Sequence, residues 1–286
     1  MKRRTLLKAS MAVPLAGLMP PLWSLQAGQQ AAPMAFATGG SKKMLYDTRQ
    51  RPQALHWHGK VYIGYKGHGT KANKNPQNVA PTHASLVAYD PKNRTFSDPI
   101  RFGEQTSDHH DCPVLWVNQD DHLHFLYRCH NRPGIHLVNR QPGTMGESEA
   151  DWKQLPDINE KVSYPSMFAL TGGRELVYFR EAGHSSSWSY RITADNGHTW
   201  SGPENSVTNL EIYNHPEWSS YQAKVLSPDK KTLFVIFTDY DDVQSNVPRR
   251  LYNPTYDMPV STDWKYTLSL LKVDVDTHEV RNDAGE

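Results

Sequence analysis

Cysteine is nearly absent from the 286 residues: Cys112 and Cys129 are the only two. With no paired Cys or His spacing around them, they give little support for a zinc site. Apolar residues are scarce as well, at 37% of the chain. That is low for a deep helical core at this length and suits a flat, turn-rich β protein. No segment carries the period of a long amphipathic helix. No apolar run is long and unbroken enough to cross a bilayer, since the best, "ASMAVPLAGLMPPLWSL", is interrupted by Pro14, Pro20 and Pro21. A surplus of positive charge is also missing, with 31 Lys and Arg against 30 Asp and Glu.

The broken apolar run comes after "MKRRTLLK", a twin-arginine opening, and the two together read as an export signal. A cut after Ala35-Phe36-Ala37 assigns residues 1–37 to the leader and 38–286 to the working domain, with a secreted or periplasmic destination and no membrane association once the leader is gone. The leader holds Lys2, Arg3, Arg4 and Lys8 and no acid, so the remainder of the chain is net acidic. That excludes a globally basic polyanion binder, nucleic-acid binders included, and an acidic ligand has to be met by a local basic cluster. In an exported chain, Cys112 and Cys129 are compatible with a disulfide. Their placement about the "NQDD" turn is equally compatible with two buried thiols.

What the chain does have is 20 Pro, 18 Gly and 10% aromatics, arranged in strands of period two. Four segments share one plan of strand, turn and strand: "QALHWHGKVYIGY" from Gln53, "HHDCPVLWVNQDDHLHFLYRCH" from His109, "SYPSMFALTGGRELVYFR" from Ser163 and "SSYQAKVLSPDKKTLFVIFTDY" from Ser219. A further strand pair succeeds each. The repeat is roughly 54 residues, the length of one four-stranded propeller blade. The fold expected is therefore an all-β propeller with about four units. Within the third, "TADNGHTW" (Thr193 to Trp200) matches the Asp-box pattern of sialidase-type blades, in which the Asp locks a tight turn and the Trp packs between blades.

In a propeller the opening residues of successive units converge on one mouth, and in a hairpin the returning end lies beside the opening. His110, Tyr164 and Tyr221 open their units. His130, Arg180 and Asp239-Tyr240 close them, with Tyr65-Lys66 in the first. By alternation His109 should point away from His110. "YKGHGTKANKN" (Tyr65 to Asn75) and "VPRRLYNPTYD" (Val247 to Asp257) are basic connections that could flank the same mouth, whereas "HSSSWSY" (His184 to Tyr190) reads as a blade edge. No pair of acids occupies equivalent rim positions, which argues against ordinary glycoside hydrolysis. Imidazoles, phenols and a guanidinium instead suit β-elimination at a uronic acid. A cation on the carboxylate stabilises the charge that develops when the neighbouring proton leaves, and a His or Tyr accepts that proton. This chemistry requires no cofactor.

The order "DHHDCPVLWV…DDHLHFLYRCHN", then "SYPSMFAL…ELVYFREAGHSSSWSYRITADNGHTW", then "SSYQAKV" resembles the propeller ulvan lyases of the BNR-repeat group, from about Lys43 to Val280. The resemblance, to enzymes of marine bacteria, implies a secreted endo-lyase acting on ulvan, an anionic sulfated rhamnose–uronate polymer of green algae, and leaving an unsaturated uronate. It implies that His110 is the base or acid histidine with Tyr164 as its partner, and it leaves open which of them takes the proton. It also implies that Arg180 neutralises the carboxylate while His130 and Tyr221 hold the sugar. The family's ring has seven blades, so a short or incomplete propeller is expected. The rival readings are a non-catalytic polysaccharide-binding propeller and a sialidase-like glycosidase, although "YFREAG" lacks the proline of a FRIP motif and no arginine triad is visible.

Overall fold

A computed structural model of the chain describes Phe36 and residues 47–67, 81–108, 110–181, 187–202, 218–241, 252–253, 258–259, 265–282 and 284–285. Apart from Phe36, the export signal lies outside the described residues. So do His109, His184, nearly all of the Val247 to Asp257 connection, and the Tyr65 to Asn75 loop beyond Gly67.

The propeller expected from the repeat is the fold observed, with four successive antiparallel sheets. The first contains β1 (Ala54–Trp57), β2 (Lys60–Gly67) and β3 (Thr82–Asp90). Both β4 (Thr95–Phe96) and β5 (Ile100–Thr106) pair with β3, so together they occupy one outer position. The second is β6 (Val114–Val117), β7 (Leu123–Tyr127), β8 (Ile135–Asn139) and β9 (Trp152–Gln154), in that spatial order. The third is β10 (Ser163–Ala169), β11 (Glu175–Arg180) and β12 (Trp188–Thr193). The fourth begins with β13 (Trp218–Leu226) and β14 (Thr232–Asp241). A two-stranded ribbon comes next, β15 (Tyr252–Asn253) with β16 (Met258–Pro259), before β17 (Lys265–Asp274) and β18 (Val280–Arg281) complete the sheet.

One blade departs from the expected four strands. Among the described residues the third has three, and its fourth position is reduced to a bridge between Ile192 and Ser201. The two residues exchange hydrogen bonds of 2.8 and 2.9 Å. The tight turn between them brings the chain back for a single pairing only.

Side-chain alternation explains the core. Along β7, Leu123, Phe125 and Tyr127 join Trp57, Leu86 and Phe102 of the first blade in one cluster. Leu126 turns the other way, to Val177 and Phe179 of the third. Along β11 the pattern repeats, with Leu176 and Tyr178 packed on Leu233, Val235 and Val273 of the fourth. The middle blades are thus apolar on both faces, which is why "LHFLY" and "ELVYF" read as continuous runs. On the outer side of the fourth sheet, Val225, Ile236 and Leu268 are exposed.

Turn chemistry fixes the register. Trp57 pairs with Lys60 across a two-residue turn whose members, His58 and Gly59, both have positive φ, as a type I′ hairpin requires. The Asp box behaves as its sequence suggested. Asp195 accepts hydrogen bonds from the Thr199 backbone N–H at 2.8 Å and from both threonine hydroxyls, Thr193 and Thr199, at 2.7 Å. Burial opposes ionisation, but these bonds outweigh it and hold the carboxyl down at about 2. Gly197 (φ +85°) is required here, because a Cβ would meet Cε1 of His136 at 2.7 Å. Trp200 packs on the cluster between the second and third blades. Replacing Asp195 with Ala should cost about 1–2 kcal/mol, the scale of a lost side-chain cap, read as a lower urea midpoint with unchanged slope. Cys112 and Cys129 are both buried and are not bonded to each other, and burial pushes Cys112 up to about 12.

Candidate active site

Five of the sequence-derived rim residues meet in one place. The rings of His110 and His130 have centroids 4.4 Å apart, and Tyr164 lies 5.4 Å from the first and 5.9 Å from the second. Tyr221 stands edge-on to Tyr164 at 5.9 Å. The Arg180 guanidinium carbon sits 4.7 Å from the Tyr164 ring centroid. These spans fit a single monosaccharide. Of the other rim candidates, Lys66 is buried and structural. Its Nζ donates to the Thr106 hydroxyl at 2.6 Å and to the Asp108 carbonyl at 2.5 Å. Asp239 and Tyr240 lie on β14, with side chains outside the described residues.

Backbone geometry at the mouth is unusual. Tyr164 has φ +55°, inside an irregularity of β10 where the register with β11 shifts between Ser163 and Ser166. A tyrosine in the left-handed region is strained, and such residues concentrate at functional sites. Asn131, also at positive φ, donates its backbone N–H to the Ser163 hydroxyl at 2.8 Å. That bond ties the end of the His130 hairpin to the strand carrying Tyr164.

Arg180 is the most telling group. It is fully buried, and among the described residues none of its three guanidinium nitrogens has a hydrogen-bond acceptor. A guanidinium does not surrender its proton, so this is a charge held in a poorly solvated place with no counter-ion among the described residues. Its neighbours are the π-faces of Tyr164 and, at 5.9 Å, Tyr221. Such a group is complementary to an incoming carboxylate.

Two residues of this cluster were missed by the repeat. The segment "DTRQRP" precedes the first unit and runs along the inner strands: Arg51 N–H donates to the Pro165 carbonyl, and Leu115 N–H to that of Pro52. It carries Asp47 and Arg49 into the mouth. Arg49 forms a two-toothed ion pair with Asp47, both contacts at 2.7 Å. It also donates to the Tyr221 hydroxyl at 3.0 Å, lies 2.8 Å from Nδ1 of His110, and stacks 4.4 Å from the Tyr164 ring centroid. Burial would raise the Asp47 carboxyl, but hydrogen bonds from His110 and Arg49 prevail and hold it well below the usual carboxylate range. A third missed residue is Asp108, which takes Nδ1 of His130 at 2.7 Å and the His110 backbone N–H at 2.9 Å. These bonds likewise overcome burial and keep its carboxyl low.

The site therefore offers two imidazoles, two phenols and two guanidiniums. Burial lowers the pKa of His110, so the imidazole is neutral at neutral pH. Burial, helped by Tyr221, raises that of Tyr164 despite Arg180 and Arg49, so the phenol keeps its proton. Among the described residues no group of three or more His, Cys, Asp or Glu is placed to hold a metal ion.

The sequence profile of the BNR repeat-containing family matches residues 83–267. An ulvan lyase of Alteromonas sp. (strain LOR) is 24% identical over 170 residues, which cover 54% of this chain and 33% of the relative. An ulvan lyase of Nonlabens ulvanivorans is 22% identical over 224 residues, covering 69% and 44% respectively. The chain thus spans about a third to less than half of the length of the curated relatives it matches. A solved polysaccharide lyase, a PL25 ulvan lyase, superposes with a TM-score of 0.64 at 17% identity, over 88% of this chain and 57% of that one.

Proposed function

The chain belongs to the BNR repeat-containing family, and from that premise we propose that it is a polysaccharide lyase cleaving ulvan by β-elimination at the uronic acid. The observation carrying this reading is Arg180, a buried guanidinium without a partner among the described residues, set against Tyr164 beside a pair of imidazoles. Seated there, a uronate carboxylate would neutralise Arg180 and present its neighbouring C–H to His110, His130 and Tyr164. The hard step is loss of that proton, and a fixed cation at the carboxylate stabilises the charge that then spreads onto its oxygens. The relatives named ulvan lyase support this substrate, as does a related structure described as bound to "-[GlcA(1-4)Rha3S]-". In this reading the protein is exported, and its partner is the anionic sulfated polysaccharide itself.

Incubating the purified protein with ulvan and monitoring ultraviolet absorbance tests the proposal. A rise in absorbance, from the double bond of the unsaturated product, is the expected result. New reducing ends without absorbance would instead mean a glycosidase, and binding without either would mean a carbohydrate-binding propeller.

A further inference from the structure

A basic pocket lies between the second and third blades, at the end of their strands away from the mouth. Resting on the lyase reading for the identity of the polymer, we infer that this pocket is a second saccharide site, which holds a sulfate ester of the polysaccharide and so tethers the protein to its substrate.

Strand register fixes where the pocket lies. On β11, Arg180 pairs with Trp188 at the mouth and Glu175 pairs with Thr193 at the opposite end, about 17 Å further along the strand. The Asp-box turn leaves Thr193 directly and so brings Asn196 and His198 to that far end. In the second blade the turn between β6 and β7, with Asn118 and His122, stands at the end remote from His130. Val138 of β8 pairs with Lys153 of β9, which sets Lys153 and Arg140 beside that turn. The cavity these residues line has a volume of about 350 Å³, at the lower end for small-molecule sites.

The lining is rich in donors. Arg140 and Lys153 are exposed, and neither forms an ion pair among the described residues. The nearby Asp151 carboxyl is occupied by the backbone N–H groups of Glu147 and Ser148, at 2.8 and 3.0 Å. Asn118 is only 8% exposed, and its Oδ1 accepts the backbone N–H groups of Asp120 and His122 at 3.0 and 2.9 Å. Those bonds fix which end of the amide is oxygen and leave its NH₂ for a ligand. His122 is oriented through Nδ1, which donates to the Asn139 carbonyl at 2.8 Å.

One acid, Asp120, lines the pocket, and its Oδ2 accepts the Asn196 amide. The buried His124 and His136, behind the Asp-box turn, add no charge, because burial, seconded by neighbouring imidazoles, lowers both, His136 to about 3. Two cations against one carboxylate leave a surplus of one positive charge. A sulfate monoester carries one negative charge spread over three oxygens, enough to engage Arg140, Lys153 and Asn118 together. A carboxylate has only two oxygens. Holding the polymer at a point separate from the mouth raises the local concentration of cleavable units.

Affinity electrophoresis of the full chain through a gel containing ulvan, compared with a gel without polymer, reads binding apart from turnover. Arg180→Met, whose mouth lacks its carboxylate cation, should still be retarded. Adding Arg140→Gln and Lys153→Gln should weaken that retention about tenfold or more at constant ionic strength, and desulfated ulvan should retard neither protein. No retardation of Arg180→Met, equal retention after the two Gln changes, or equal retention by desulfated ulvan overturns the inference.

A second measurement avoids the change at Arg180. Wild-type protein is titrated with rhamnose 3-sulfate, which has no carboxylate for the mouth and no bond to eliminate. The side-chain amide signal of Asn118, identified by its loss in Asn118→Asp, should move in wild type and stay still in the Arg140→Gln, Lys153→Gln protein. A still signal in wild type overturns the site. An equal shift with sodium sulfate at the same concentration makes it a site for inorganic anions and overturns the saccharide. Sulfate-dependent binding of ulvan without elimination sinks the lyase reading and leaves this site standing, whereas elimination without sulfate-dependent binding sinks the site alone.

Discussion

Replacing Arg180 with Met should leave a folded protein that melts higher than wild type and has lost about three orders of magnitude in turnover on ulvan. The two effects share one cause. Arg180 is fully buried with no acceptor among the described residues, so the folded chain carries a desolvated charge that the faces of Tyr164 and Tyr221 attenuate. Exchanging a buried charge for an apolar side chain of similar reach is typically neutral to favourable, by about 1–4 kcal/mol. Removing a fixed charge from beside a developing oxyanion costs about 10²–10³ in rate, and loss of ground-state carboxylate binding adds to that. Scanning calorimetry and the absorbance assay read the two effects separately. A lower melting temperature together with retained turnover would show that Arg180 is a structural residue and would remove the carboxylate site. As a companion measurement, free glucuronate at high concentration should raise the melting temperature of wild type and leave Arg180→Met unmoved.

Glu175→Gln should abolish a loss of stability that the wild type suffers as the pH rises from about 4.5 to 7. Glu175 opens β11, whose other end is Arg180, and is 2% exposed. Among the described residues neither of its carboxyl oxygens has a well-formed hydrogen bond. Burial pushes the carboxyl up from 4.5 to about 7, against a weaker pull from the Trp116 indole. Linkage sets the sign. Below pH 4.5 the group is protonated in both states and costs nothing. As the pH rises from 4.5 to 7 the unfolded chain ionises while the folded one does not, so stability falls, and above 7 the loss is complete. A shift of that size corresponds to about 3 kcal/mol. The Gln variant should match wild type near pH 4 and exceed it by up to that amount at pH 8, measured as urea midpoints. Equal stability of the two proteins at pH 8 would mean that the folded carboxyl titrates normally.

The architecture and the central cluster were legible because both derive from periodicity. Strand alternation and the repeat placed His110, Tyr164 and Tyr221 at successive openings and His130 and Arg180 at returns, and the folded chain brings these five together. Asp47 and Arg49 escaped the same reasoning because they precede the first repeat and have no counterparts one unit away. Only their threading along the inner strands, through Arg51 and Pro52, carries them to His110. Asp108 sits inside the motif that drew attention, yet its partner His130 is one whole hairpin distant, and no spacing rule picks out that pair. Arg180 closes an apolar strand, a place where a charge is ordinarily solvated. Its burial is a tertiary fact that no local pattern encodes.

Because strands of the second and third blades are wedged between neighbours on both sides, their middles have no room for a polar substitution that leaves the packing intact. Only the ends of these strands and the turns beyond them are permissive. New specificity can therefore arise at the mouth, through residues such as those flanking His130 or just after Arg180, without disturbing the wedges. Changes of the same chemical kind at Phe125 or Val177 would be felt in the packing between two blades.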